Sequence, residues 1–159
     1  MSLGKHWKVV GGLRWDRFHA ELSNTVPSSR SLASAEQTVY FNSVRSGILY
    51  QPTNEQTYYV SYGTLFDPSL EQLTGTVGTQ ALPPEKNRSY EVGAKWDMFG
   101  GDLSLTSSLF QVKQTNSRSQ IDTGVYALNG TVRVNGAEIT FAGHITPKWQ
   151  VFGGYTYLV

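Results

Sequence analysis

Asn87-Arg88-Ser89-Tyr90-Glu91-Val92-Gly93-Ala94-Lys95-Trp96 decides the fold. Tyr90, Val92, Ala94 and Trp96 occupy alternate positions, and Glu91, Gly93, Lys95 and Asp97 fill the places between them. A period of two belongs to a strand, whose side chains point alternately to its two faces. Phe99-Gly100-Gly101 then supplies the chemistry of a hairpin turn. Asp102–Gln114 returns with Leu103, Leu105 and Leu109 opposing Ser104, Thr106 and Ser108.

The same period extends in both directions. Thr57–Phe66 puts Tyr58, Val60 and Tyr62 together, and Thr38–Tyr50 sets Tyr40, Val44, Ile48 and Tyr50 against Arg45. His6–Phe18 sets Trp7, Val9, Gly11, Leu13 and Trp15 against Lys8, Arg14 and Asp16. Thr131–Ile145 aligns Ala137, Ile139, Phe141 and Ile145 against Glu138, Thr140 and His144. Trp149–Val159 aligns Trp149, Val151, Gly153, Tyr155 and Tyr157. No helical period survives beyond one turn. The expected fold is all-β, an antiparallel up-and-down meander of about seven strands.

The connections alternate in length. Polar stretches near Ala20–Glu36, Asp67–Asn87 and Ser117–Gly130 read as long loops. The first is rich in Ser and reads as mobile, and the second carries Gly75, Gly78, Pro83 and Pro84. Gln51–Gln56, Asp97–Asp102 and Thr146–Lys148 read as tight turns, with Pro52-Thr53-Asn54 and Pro147 as turn residues. In an up-and-down sheet every second connection lies at the same end, so one end is short and the other long. Outer-membrane barrels show this asymmetry, with short periplasmic turns and longer extracellular loops.

Composition agrees. With Gly 16, aromatics at 13% and charged residues at 16%, the chain favours strands and turns. A net charge of +1 and no basic cluster interleaved with aromatics exclude a nucleic-acid partner. Mean hydropathy is −0.31, yet a membrane barrel shows lipid only alternate residues. No run of 18 apolar residues exists, so a transmembrane helix is excluded. Cys is absent, which removes disulfides and thiolate metal sites.

Lys95, Glu91, Glu138, Arg45 and His144 all fall opposite the apolar stripe. A soluble sheet with one core face would be equally clean. The aromatics favour lipid: Trp7, Trp15, Tyr50, Tyr58, Trp96, Trp149 and Tyr157 sit mostly near strand ends, where bilayer interfaces suit rings with polar tips.

Leu82-Pro83-Pro84-Glu85-Lys86, Tyr90 to Trp96, Gly101-Asp102-Leu103-Ser104-Leu105-Thr106 and Leu109-Phe110 resemble the barrel of TonB-dependent siderophore receptors. In that family a Pro-Glu motif precedes a Tyr-Glu-x-Gly-x-Lys strand and a Leu-rich strand. Gly11-Gly12-Leu13-Arg14-Trp15-Asp16 is similar to the family's Gly-Leu-Arg-Tyr-Asp strand. Gly47 to Pro52, Tyr59 to Thr64, Asn135-Gly136-Ala137-Glu138, Ile145-Thr146-Pro147 and Gly154-Tyr155-Thr156-Tyr157 follow in the family's order.

The resemblance implies a segment of a 22-stranded transmembrane barrel around a plug, importing ferric siderophores with the TonB complex. It places the parent in the outer membrane of a Gram-negative bacterium, with lipid as a further partner. Residues 4–159 are expected to be a partial barrel lacking the plug and the C-terminal strands. Residues 1–3 read as an expression scar. Alone, the segment is expected to self-associate through its sheet edges. A small soluble or membrane barrel of lipocalin type is the alternative; an enzyme on a β scaffold lacks a Ser/His/Asp constellation.

No catalytic, cofactor-binding or metal residues are expected. His6, His19 and His144 lack ligand spacing. Val10-Gly11-Gly12 lacks the spacing of a phosphate loop. Glu91 and Lys95 share a face about 13 Å apart by strand rise, too far for an acid/base pair. Phe66, Arg88 and Arg118 lie near the long-loop end, where rings and guanidinium groups suit a ferric siderophore. Each also fits an ordinary rim residue, so the ligand-binding residues are unknown.

Overall fold

A computed structural model describes residues 2–23, 34–67, 84–122, 125–128, 130–146 and 148–159. Among the described residues ten strands form: β1 (Ser2–Leu3), β2 (Trp7–Ser23), β3 (Ser34–Thr53), β4 (Gln56–Asp67), β5 (Glu85–Met98), β6 (Leu103–Thr115), β7 (Arg118–Asp122), β8 (Val125–Leu128), β9 (Thr131–Thr146) and β10 (Trp149–Leu158). Eight of them make one antiparallel sheet in the order β1-β2-β3-β4-β5-β6-β9-β10. The seven long strands of this sheet are those read from the alternation.

The differences fall at the connections. Backbone pairing carries β2 and β3 outward to Ser23↔Ser34, so the ends of the Ala20–Glu36 stretch are strand. Within Ser117–Gly130, β7 and β8 pair as a separate hairpin. Local polarity concealed the first, because ladder hydrogen bonds suit polar and apolar residues equally; β8 is apolar, but its four residues are too few to state a period. The first tight turn centres on Asn54-Glu55. The ladder slips between Tyr50 and Thr53, where Pro52 has no N–H to give. Residues 68–83 and Pro147 lie outside the described residues.

Phe99, Gly100 and Gly101 turn the chain between β5 and β6 with φ of 57°, 72° and 99°. Two successive glycines relieve the steric penalty of that left-handed path.

The sheet is a single layer. Among the described residues only Phe41 and Ala94 are buried hydrophobics, while Leu13, Val60, Val92 and Leu109 are each at least half exposed. A soluble two-layer fold would cover such residues. Phe41 owes its burial to rings on both sides, stacking with Phe18 at 5.4 Å and Phe66 at 5.2 Å.

Candidate functional surfaces of the sheet

Within the continuous ladders, register assigns side chains to one of two faces, because residues directly opposite point the same way; β3 and β4 stop pairing beyond Arg45↔Gly63, and there Phe66 reaches Phe41 of the other face. One rung crosses all seven long strands: Val9↔Ile48, Ile48↔Val60, Val60↔Val92, Val92↔Leu109, Leu109↔Ala137 and Ala137↔Tyr157. Every member is apolar or aromatic. The seven stripes read separately from sequence therefore merge into one continuous belt.

The belt is slanted. Its outermost apolar or aromatic residue is Trp15 in β2, Tyr90 in β5 and Ala137 in β9. The rung of Tyr90 passes through Tyr62 and Ser46 to Gly11, four residues inward of Trp15. The rung of Ala137 passes through Leu109 to Val92, two residues inward of Tyr90. The edge thus shifts six residues over five strand steps, about one per step, as the stagger of tilted barrel strands requires.

Aromatic pairs border the belt. Trp7 and Tyr50 lie 4.7 Å apart and Tyr58 and Trp96 6.3 Å apart on the short-turn side. Trp15 and Tyr40, at 6.0 Å, and Tyr62 and Tyr90, at 5.1 Å, lie on the long-loop side.

The opposite face is polar in its middle. A concavity of about 730 Å³ is lined by Lys8, Arg45, Gly47, Tyr59, Glu91 and Lys95, among others. The Tyr59 hydroxyl donates to Glu91 Oε1 at 2.5 Å, and Lys95 Nζ stands 5.9 Å from the Tyr59 ring centroid. Glu91 and Lys95 are thus linked through a residue of the next strand. Tyr59 is opposite Gly93, which lies midway between them. A Cβ on Gly93 would come within 2.6 Å of the Tyr59 ring and hydroxyl, so the ring lies across the bare backbone. No sequence signal marks Tyr59, because its partnership is set by register. Further along, the Thr156 hydroxyl donates to Glu138 at 3.1 Å.

The other sequence candidates separate. His6 bonds the Gln51 carbonyl through Nδ1 at 2.8 Å, and His19 Nδ1 lies 2.9 Å from Thr38 Oγ1. Among the described residues no three His, Asp or Glu side chains gather as a metal-ligand group. Phe66 belongs to the ring stack with Phe41, with Lys86 Nζ 5.6 Å from its centroid. Arg118 lies in β7 opposite Leu128. Arg88 pairs with Thr64 and Lys113, on the face that carries the apolar belt.

Residues 1–159 match the family model described as TonB dependent receptor-like, beta-barrel. "Probable TonB-dependent siderophore receptor PiuA" of Acinetobacter baumannii is 35% identical over 159 residues, which are 96% of this chain and 21% of that protein. The catecholate siderophore receptor Fiu of Escherichia coli K12 is 29% identical over 182 residues, covering 98% of this chain and 24% of Fiu. The crystal structure of Fiu in its closed form superposes with a TM-score of 0.80 at 27% identity, over 97% of this chain and 25% of that one. The chain therefore spans less than a quarter of the length of these two curated relatives. The apolar belt is uncovered, so the lipocalin-type alternative, which needs that face as a core, is not favoured. A full-length family match, a shared strand order and an exposed staggered belt lead to one conclusion: the chain belongs to the TonB-dependent receptor family, within its β-barrel.

Proposed function

We propose that this segment is part of the wall of an outer-membrane receptor that binds and imports ferric siderophores using energy delivered through TonB. The observation that carries the reading is the uncovered belt crossing seven strands, with rings at its borders and the charged side chains of Glu91 and Lys95 on the opposite face. A single-layer sheet with these two faces separates hydrocarbon from a polar interior. The names of PiuA and Fiu, both siderophore receptors, support the cargo class.

In this reading residues 4–159 are wall and carry no catalytic role. The side with Glu91, Tyr59 and Lys95 faces the lumen, and the long connections lie outside the cell. The edges of the sheet pair with further strands of the barrel. Removed from them, the segment self-associates through unpaired ladder groups.

The test is genetic. Deleting the gene that encodes this segment abolishes growth on iron supplied as at least one defined siderophore, and the plasmid-borne gene restores it. Equal growth of mutant and parent on every siderophore supplied rejects the receptor reading.

A further inference from the structure

On β6 and β9 the two faces exchange character at the long-loop border of the belt. Below that border Leu105, Leu109, Ala137 and Phe141 carry the belt, and Thr106, Ser108, Glu138 and Thr140 carry the polar face. Beyond it the belt side reads Gln111, Lys113, Asn135 and Arg133, while the apolar residues turn inward: Phe110, Val112, Val132 and Val134. These four point away from the hydrocarbon. Val132 is 47% exposed. An apolar patch on the wall of a polar interior calls for an apolar partner.

One rung joins this patch to a cation. Arg45↔Gly63, Gly63↔Ser89, Ser89↔Val112 and Val112↔Val134 are successive pairs on the inner face. The floor between the ends is low, because Gly63 has no side chain and Ser89 Oγ folds onto it, donating to the Gly63 carbonyl at 3.5 Å. Arg45 stands in the concavity whose lining charges are Lys8, Arg45 and Lys95 against Glu91 alone, and Glu91 already accepts from the Tyr59 hydroxyl. The ion pairs among the described residues, Arg14–Asp16 and His19–Glu36, do not involve Arg45. At about 4.8 Å per strand step, Arg45 stands roughly 14 Å from Val112 and roughly 19 Å from Val134. The rung lies just outward of the Tyr62–Tyr90 pair that closes the belt. That height is the outer part of the lumen, on the long-loop side.

We propose that this rung is a two-part subsite for an amphipathic ferric siderophore. Arg45, with Lys8 and Lys95 deeper in the concavity, holds an anionic ferric centre; Phe110, Val112, Val132 and Val134 hold an apolar arm of the same molecule. A ferric ion wrapped by catecholate oxygens keeps a surplus of negative charge, which a guanidinium group suits. An acyl chain laid on the valines leaves water together with them. The inference rests on the receptor reading and deepens it by naming the polarity of the cargo.

Binding to the full-length receptor in amphipol, read by quenching of its tryptophan fluorescence, tests it with two probes: a ferric tris-catecholate bearing an octanoyl chain and the same complex without the chain. The native receptor prefers the acylated complex by at least about tenfold. Val112→Thr/Val134→Thr keeps the shape of the wall, cuts that preference to within about threefold and leaves the chain-free complex bound as before. Arg45→Gln weakens both complexes at least about fivefold, whereas Arg45→Lys, which keeps the charge, weakens them less. Folding is monitored by heat-modifiable gel mobility. No preference in the native receptor, or an unaltered preference in the folded valine variant, overturns the apolar arm. Entry of vancomycin into cells carrying the valine variant, with the preference intact, assigns the patch to a contact with the plug and overturns the subsite. Unchanged affinities in a folded Arg45→Gln variant overturn the anionic end. If the native receptor binds neither complex the subsite falls, and the growth test of the receptor reading is decided separately.

Discussion

Tyr59 reaches Glu91 by lying over Gly93, and the pair is as strong as that gap is open. Gly93→Val pushes a side chain into the ring and takes the donor away from Glu91. We expect a loss of about 1–2 kcal/mol in denaturant unfolding of the refolded barrel, the scale of one hydrogen bond to a carboxylate at a partly wet surface. Tyr59→Phe removes the same bond. The two changes together should cost little more than the larger alone, since each deletes one shared interaction. Strict additivity would show that the glycine and the tyrosine act separately. Phe110 over Gly136 and Phe141 over Gly153 repeat the arrangement.

At the scale of a strand, alternation makes neighbouring positions unequal. Val92 belongs to the belt's continuous rung, while Ser61, on the next strand, pairs with Glu91 on the polar face. Val92→Arg should lower the yield of folded barrel in lipid vesicles sharply, matching a midplane penalty of roughly 2–4 kcal/mol. Ser61→Lys should leave that yield nearly unchanged. Equal effects would mean that the faces are wrongly assigned. The β5–β6 turn makes a second demand. Gly101 has φ of 99° and open space around a would-be Cβ, so Gly101→Val tests backbone strain without a clash. It should destabilise the barrel by about 1–2 kcal/mol in urea titration.

For the molecule as a whole, the slanted belt fixes depth. Trp15 ends it on the long-loop side and Trp149 stands at the short-turn side, with Val92 between. Single-tryptophan variants quenched by lipids brominated at different depths should place Trp15 and Trp149 shallow, and a Val92→Trp probe near the centre. Iodide added outside sealed outer-membrane vesicles should quench Trp15 more than Trp149. A central Trp15 would contradict the stagger. The meander, the seven long strands and the two faces were legible in the chain, because burial against any apolar medium imposes a period of two that each strand states alone. Turn residues such as Gly100-Gly101 were legible too, since the left-handed backbone selects them locally. Pairing between strands has no local signature: the ladder joins main-chain groups that every residue carries. Only the tertiary structure could extend β2 and β3 into a polar stretch, pair β7 with β8, or lay Tyr59 between Glu91 and Lys95. Only register could set Arg88 on the face of the apolar belt, in line with Lys113 and Arg133, which lie far from it along the chain.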